Sequence, residues 1–317
     1  MPRPPRAPAE PKDEDLSEGL VVRVDSRLCR VRIDSDTFDC RVRGLLFRKE
    51  KTYGKPVAVG DLVMVRRLST LPYVVESVLP RRNVLARPRY GTRHNHIIAA
   101  NLDLAVLVTA CAEPPINPRL IDRMLVACER SGYRAVIVFN KADLLANREP
   151  IEELAELYRG LEYAVHLTSV VTGEGTAGLR QDLSEGISVF AGMSGVGKSA
   201  LLTAIQPDLS LKSAEVSDAT GKGRHTTTRV SLLELEGGGY VVDTPGVREF
   251  GVIDMTAAEI SHCFREFHPH LNACRFRTCT HDHEIKCEVK AACDRGDIDP
   301  LRYDSYLRII NSLDKDY

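Results

Sequence analysis

A glycine-rich loop enclosed between an apolar strand and a helix constrains this chain more than any other segment. Ile187-Ser188-Val189-Phe190 runs into Gly192-Met193-Ser194-Gly195-Val196-Gly197-Lys198-Ser199, and Ala200-Leu201-Leu202 continues as a helix. Such a pattern becomes a phosphate cradle only in a strand-turn-helix unit, because the N–H groups of the loop and the first helical turn must converge on one anion. That unit in turn demands a mainly parallel sheet with helices on its faces. In this setting Lys198 neutralises β- and γ-phosphate oxygens, and the Ser199 hydroxyl faces Mg²⁺.

Further motifs sit at other strand ends. Asn140-Lys141-Ala142-Asp143 closes the apolar run Ala135-Val136-Ile137-Val138-Phe139, where a doubly wound sheet holds its ligands. Guanine offers two donors on one edge, N1–H and the 2-amino group, so the Asp143 carboxylate can accept from both. Adenine lacks that pair, which sets the site against ATP and disfavours a P-loop kinase. Asn140 and the aliphatic stem of Lys141 fix the loop and cover the base. Thr168-Ser169, after an apolar stretch over 163–167, suits contact with the base and reads equally well as an ordinary strand-end turn. Asp243-Thr244-Pro245-Gly246 ends the strand Tyr240-Val241-Val242, 45 positions after Lys198. Asp243 suits Mg²⁺ binding, directly or through water, and the Gly246 N–H suits the γ-phosphate.

The order of these motifs is unusual. A GTPase domain ordinarily begins with its phosphate loop and ends with its base-reading strands, whereas here the base readers precede the loop. The domain reads as circularly permuted. The segment that senses the γ-phosphate therefore runs straight into whatever follows it.

With 317 residues, 43% hydrophobic and 27% charged, the chain has room for two or three folded domains. No apolar run reaches the roughly 20 residues of a membrane span. The opening Met1-Pro2-Arg3-Pro4-Pro5 lacks the apolar core of a signal peptide, so a cytoplasmic protein with no membrane partner is expected. Residues 1–18, rich in Pro, Glu and Asp, read as a disordered tail. Five short β-branched stretches over 19–80 predict a five-stranded OB-type barrel. Residues 81–96, with Arg81, Arg82, Arg87, Arg89 and Arg93, read as a basic linker, and strand-helix alternation over 97–254 predicts the α/β P-loop GTPase domain. A mainly helical segment, 255–317, completes a multidomain fold.

Charge is unevenly spread. Residues 1–90 hold 19 Lys+Arg against 12 Asp+Glu, an excess of seven positive, and the remainder 24 against 32, an excess of eight negative. An OB barrel with a basic surface, offering residues such as Arg41, Arg43 and Arg48, is a nucleic-acid platform, although each of these reads also as part of a solvated face.

Nine cysteines without signs of an oxidising compartment point to metal rather than disulfides. Cys274-x4-Cys279-x-His281-x5-Cys287 supplies three sulfurs and one imidazole within 14 residues, the donor set of a closed structural zinc site. Cys263, Cys293, His268, His270 and His283 are nearby alternatives.

Taken together, the barrel, the permuted motifs, Gly223-Arg224-His225-Thr226-Thr227-Thr228, Asp243-Thr244-Pro245-Gly246-Val247-Arg248-Glu249-Phe250 and the Cys/His tail resemble the RsgA (YjeQ/YloQ) family over about residues 19–300. That resemblance implies a GTP hydrolase stimulated by the small ribosomal subunit, acting late in its maturation, with rRNA and the subunit as partners and one structural Zn²⁺ besides Mg²⁺ with GTP or GDP. A monomer suits a surface that docks on a large particle. The resemblance favours His225 as the group that positions the attacking water, since Val247 stands where many GTPases carry a glutamine. By its spacing in the same pattern Thr227 is the switch threonine on Mg²⁺, with Thr226 the near alternative. A stand-alone regulatory GTPase, whose barrel and zinc segment bind a protein, is the rival reading.

Overall fold

A computed structural model describes residues 16–25, 28–49, 55–87, 96–208, 230–243 and 255–313. The fold divides into two compact units, Met1–Asn101 with Thr227–Leu232 and Leu102–Thr226 with Leu233–Tyr317.

The first unit contains β1 (Leu16–Asp25), β2 (Leu28–Ile33), β3 (Asp36–Val42), helix α1 (Gly44–Lys49), β4 (Leu62–Arg66) and β5 (Tyr73–Val78). The strands pair in the order β1-β2-β3-β5-β4, and β4 returns to β1, which closes the predicted barrel. Alternation explains the closure: inward-facing Val21, Val31, Cys40, Val63 and Val75 are all fully or almost fully buried, while the residues between them face outward.

Three boundaries differ from those expected. Leu16–Glu18, assigned to the tail, belong to β1 because they pair with Arg66–Met64 of β4. The supposed linker contains β6 (Val84–Arg87), which pairs antiparallel with β7 (His96–Ala100). Ile97 to Asn101, expected to open the GTPase domain, cluster with the first unit, as the Ala100 N–H donating to Val59 O (2.9 Å) illustrates. Two of the linker's arginines are structural. Arg81 forks onto the fully buried Asp61 carboxylate at 2.7 and 2.8 Å, and Arg82 donates to Asn101 O at 3.1 Å. On the barrel Arg43 is paired with Glu76. Arg89 and Arg93 lie outside the described residues.

The second unit carries a parallel sheet in the order β10-β9-β8-β11-β13, from β8 (Leu104–Ala110), β9 (Arg134–Asn140), β10 (Ala164–Thr168), β11 (Ile187–Ala191) and β13 (Tyr240–Asp243). The short β12 (Ser231–Glu234) precedes β13. Strands buried on both faces read as continuous apolar runs, and β8, Leu-Ala-Val-Leu-Val-Thr-Ala, is one. Helices α2 (Pro118–Ser131), α3 (Glu149–Gly160), α4 (Thr176–Asp182) and α5 (Lys198–Ile205) alternate with them, as the strand-helix alternation predicts.

The C-terminal segment holds α6 (Ala257–Ser261), opened by a Thr256/Glu259 capping box, and α7 (His268–Leu271), α8 (Glu288–Arg295) and α9 (Pro300–Leu313). Its aromatic core, Phe264, Phe267 and Tyr306, packs with Val126 of α2. Arg302 of α9 is 1% exposed, and it meets Asp122 of α2 at 2.5 Å and Glu266 at 2.6 Å. Burial opposes its charge, but the two carboxylates outweigh that and hold the guanidinium protonated. Tyr158 of α3 donates to the same Asp122 at 2.8 Å, so the helical segment and the parallel sheet's helices share one buried network.

Candidate nucleotide and metal sites

Parallel strands end on the same side of a sheet, so the loops after β8, β9, β10 and β11 converge there, beside the end of β13. The phosphate-loop sequence leaves β11 at Gly192 and enters α5 at Lys198. Gly192 has φ 139°, and a Cβ there would stand 2.1 Å from Val108 O. Gly197 has φ 96°, and its Cβ would stand 2.4 Å from Asn140 Nδ2. Only glycine fits either place. Ser194 and Gly195 are exposed, as are Met193, Ser199 and Ala200, while Val196 is buried and anchors the loop in the sheet's core. The Lys198 ammonium donates to Gly192 O at 2.6 Å and Met193 O at 2.8 Å, which holds it over the mouth of the loop.

The residues expected to read the base are tied to that loop. Asn140, 2% exposed at the end of β9, donates from Nδ2 to Val196 O (2.9 Å), and its Oδ1 accepts from Thr168 Oγ1 (3.0 Å). One side chain thus joins the ends of β9 and β10 to a loop 56 positions further along the chain. Lys141 has φ 63°, and its Nζ donates to Glu113 O at 2.5 Å. Asp143 Oδ1 accepts from Ser169 Oγ at 2.5 Å, which brings the two motifs together at adjacent strand ends. Neither Glu113 nor the bridging role of Thr168 was legible in motif spacing, since both depend on loops meeting in space.

Asp243 ends β13, whose neighbour β11 leads into the phosphate-loop sequence. Burial raises its carboxyl above the ordinary range, an effect a bound cation reverses. The donor set of Ser199 and Asp243, a hydroxyl and a carboxylate oxygen, suits a hard divalent ion. His225, Thr226, Thr227, Gly246 and Val247 lie outside the described residues.

The Cys/His motif does come together. The donor atoms of Cys274, Cys279, His281 and Cys287 all lie within 4.8 Å of one another. Tetrahedral zinc, with bonds of about 2.3 Å to sulfur and about 2.0 Å to nitrogen, sets sulfur–sulfur separations of about 3.8 Å and sulfur–nitrogen separations of about 3.5 Å. Cys274 and Cys287 sulfurs are 3.9 Å apart, and they stand 3.5 and 3.4 Å from His281 Nδ1. Burial pushes the Cys279 thiol up to about 12 and lowers the His281 imidazole, which favours the neutral, ligating form of the ring, whereas the Cys279 thiol needs a cation to displace its proton. The surroundings orient the set: the Glu288 N–H donates to Cys274 Sγ at 3.3 Å, and the Tyr303 hydroxyl to His281 O at 2.6 Å. Glu284 accepts from Thr280 N, Thr280 Oγ1 and Asp282 N at 2.6, 2.7 and 3.1 Å. Burial works to raise its carboxyl, and these bonds overcome that and hold it near 2. Cys263, Cys293, His268, His270 and His283 stand outside the cluster.

Residues 78–253 match the family model described as RsgA GTPase. The small ribosomal subunit biogenesis GTPase RsgA of Gemmatimonas aurantiaca is 41% identical over 300 residues, which cover 93% of this chain and 97% of that one. Its namesake in Caldanaerobacter subterraneus is 40% identical over 296 residues, 93% and 95% of the two chains. Among solved structures, YjeQ from Thermotoga maritima superposes with a TM-score of 0.78 at 35% identity, covering 94% of this chain and 98% of its own. YloQ, described as a circularly permuted GTPase, gives 0.75 at 29%, covering 97% and 99%.

Proposed function

This chain belongs to the RsgA GTPase family and is a GTP hydrolase, and from that premise we propose that it binds the small ribosomal subunit and couples GTP hydrolysis to late subunit maturation and factor release. The observation that carries the nucleotide reading is Asn140. Its two hydrogen bonds lock the base-reading strands to the phosphate loop, so the permuted order still assembles one site. Asp143 accepts the guanine N1–H and 2-amino donors; the N–H groups of 192–200 and Lys198 bind the phosphates. Ser199, Thr227 and Asp243 would hold Mg²⁺, which would supply neutralisation of charge at the transferring phosphoryl group. His225 orients the attacking water and the Gly246 N–H senses the γ-phosphate. Zinc on Cys274, Cys279, His281 and Cys287 is structural, because four protein ligands leave no open position for catalysis.

The relatives' name supports the ribosomal part of this reading, as does the basic excess over residues 1–90. A role on the subunit would be a cytoplasmic one. Among the described residues no helix is long and apolar enough to cross a membrane. Hydrolysis measured with and without purified small subunits tests the reading: strong stimulation and co-pelleting are expected, and their absence overturns it. Subunit affinity should differ between the GDP and GTP-analogue states; equal affinities sink the coupling. His225→Ala should abolish stimulated turnover while nucleotide binding persists.

A further inference from the structure

The guanine-reading apparatus is divided between two separate loops. The loop leaving β9 carries Asp143 and ends at Arg148, whose carbonyl accepts from Ile151 N and Glu152 N, both at 3.0 Å, in the first turn of α3. The loop leaving β10 carries Ser169 and closes on itself: Ser169 N donates to Glu174 O (3.1 Å) and Gly173 N to Ser169 O (2.9 Å). Gly175 then pins its far end, since a Cβ there would stand 2.0 Å from Leu167 O. Each loop is therefore stiff within itself. What remains to be set is the position of one loop against the other.

Two side-chain links join them. One is the Ser169–Asp143 bond, a single contact at the base site. The other is a fork of two parallel bonds, Arg148 Nη1 to Glu174 Oε1 and Nη2 to Oε2, each 2.7 Å. A single hydrogen bond leaves the angle between its partners loose, whereas a fork fixes distance and angle together. The Arg148 hydrogen bonds hold the Glu174 carboxyl below its ordinary value, so the pair is charged at neutral pH. Glu174 is joined to Ser169 through the backbone, and Ser169 orients Asp143.

We propose that the Arg148–Glu174 fork is a positioning clamp for guanine recognition: it holds the loop of Ser169 against the loop of Asp143, so that the Asp143 carboxylate is aimed before the base arrives. This rests on the reading of Asp143 as the guanine acceptor. The clamp touches neither base nor phosphate, and its contribution is preorganisation of the groups that do.

Nucleotide affinity and steady-state kinetics of the full-length protein test it, with GTP and with ITP, whose base lacks the 2-amino donor. In Glu174→Gln, Kd and KM for GTP should rise about threefold to fivefold at unchanged kcat, the range an exposed but well-aligned ion pair commands. ITP should lose less, because Asp143 makes one bond with hypoxanthine rather than two, so the preference for GTP narrows. Arg148→Lys keeps the charge without the fork and should fall between wild type and Glu174→Gln; the exchanged pair Arg148→Glu with Glu174→Arg should recover most of the loss. Because both side chains reach solvent, the gap between wild type and Glu174→Gln should close as salt rises from about 0.05 M to about 0.5 M. Wild-type values for both nucleotides in Glu174→Gln, or equal losses on GTP and ITP, overturn the clamp. Absence of a GTP preference in the wild type overturns the guanine reading instead.

Discussion

The Cys/His cluster and the nucleotide loops face the same physical problem, holding several polar groups at fixed separations, and they meet it in opposite ways. The cluster draws its four donors from 14 consecutive residues, and the separations among Cys274, His281 and Cys287 match those around one tetrahedral ion. The nucleotide site draws on residues from Asn140 to Asp243, positioned by parallel strands whose ends lie side by side. One is a local set of donors that a single ion would tie together; the other is a scaffold whose polar groups satisfy one another through Asn140, Thr168, Ser169 and Asp143. Local knots depend on their ion, and long-range scaffolds depend on their sheet.

Removing the ion should give the largest effect. Structural zinc supplies on the order of 10 kcal/mol of coupled folding free energy, so chelation or Cys279→Ser should unfold the C-terminal segment, read as lost helicity and a low-temperature transition. Elemental assay should give one zinc per chain, and a zinc-free wild type breaks the comparison at its first limb. Asp143→Asn should follow: two charge-assisted hydrogen bonds lost is about 3–6 kcal/mol, a fall in GTP affinity of a hundredfold or more by calorimetry, with XTP now accepted because its 2-oxygen suits the amide. The fold should be untouched, since Asp143 serves the ligand and not the sheet.

Arg302→Ala should come next and joins the two regions. It strands the Asp122 and Glu266 carboxylates inside the protein, and such a loss typically costs about 3–5 kcal/mol in denaturant unfolding. If only the C-terminal helices loosen, the buried network is a local device; if α2 and α3 loosen with them, the two regions share one cooperative unit. Smallest is Ser169→Ala. Losing one hydrogen bond to a charged group, about 1.5–3 kcal/mol gross and less where water replaces it, should weaken GTP binding about tenfold without altering thermal stability.

Much of this molecule was legible in the order of its residues. The continuous apolar runs of β8 and β9 announced a parallel sheet, the β-branched stretches of β2 and β3 a barrel, and the four-donor spacing a Cys/His cluster. The barrel-side boundaries were not, because charge was taken for exposure. Arg81 and Arg82 read as a basic linker, yet they fold back on Asp61 and Asn101, partners 20 and 19 positions away that no local pattern reveals. Residues 97–100 likewise read as the start of the α/β domain until their pairing with β6 showed otherwise.

The sequence by itself determined which chemistry is present: a glycine-rich loop suited to phosphate, an acceptor suited to guanine, and three thiols with an imidazole. It determined these because each rests on residue type and short spacing. Tertiary structure alone decided how the pieces cooperate. That Asn140 binds the carbonyl of Val196, that Arg148 grips Glu174 and that Arg302 lies between Asp122 and Glu266 follow from which strands and helices become neighbours. Contacts between residues 26 to 180 positions apart are set by packing, and packing is a property of the whole chain.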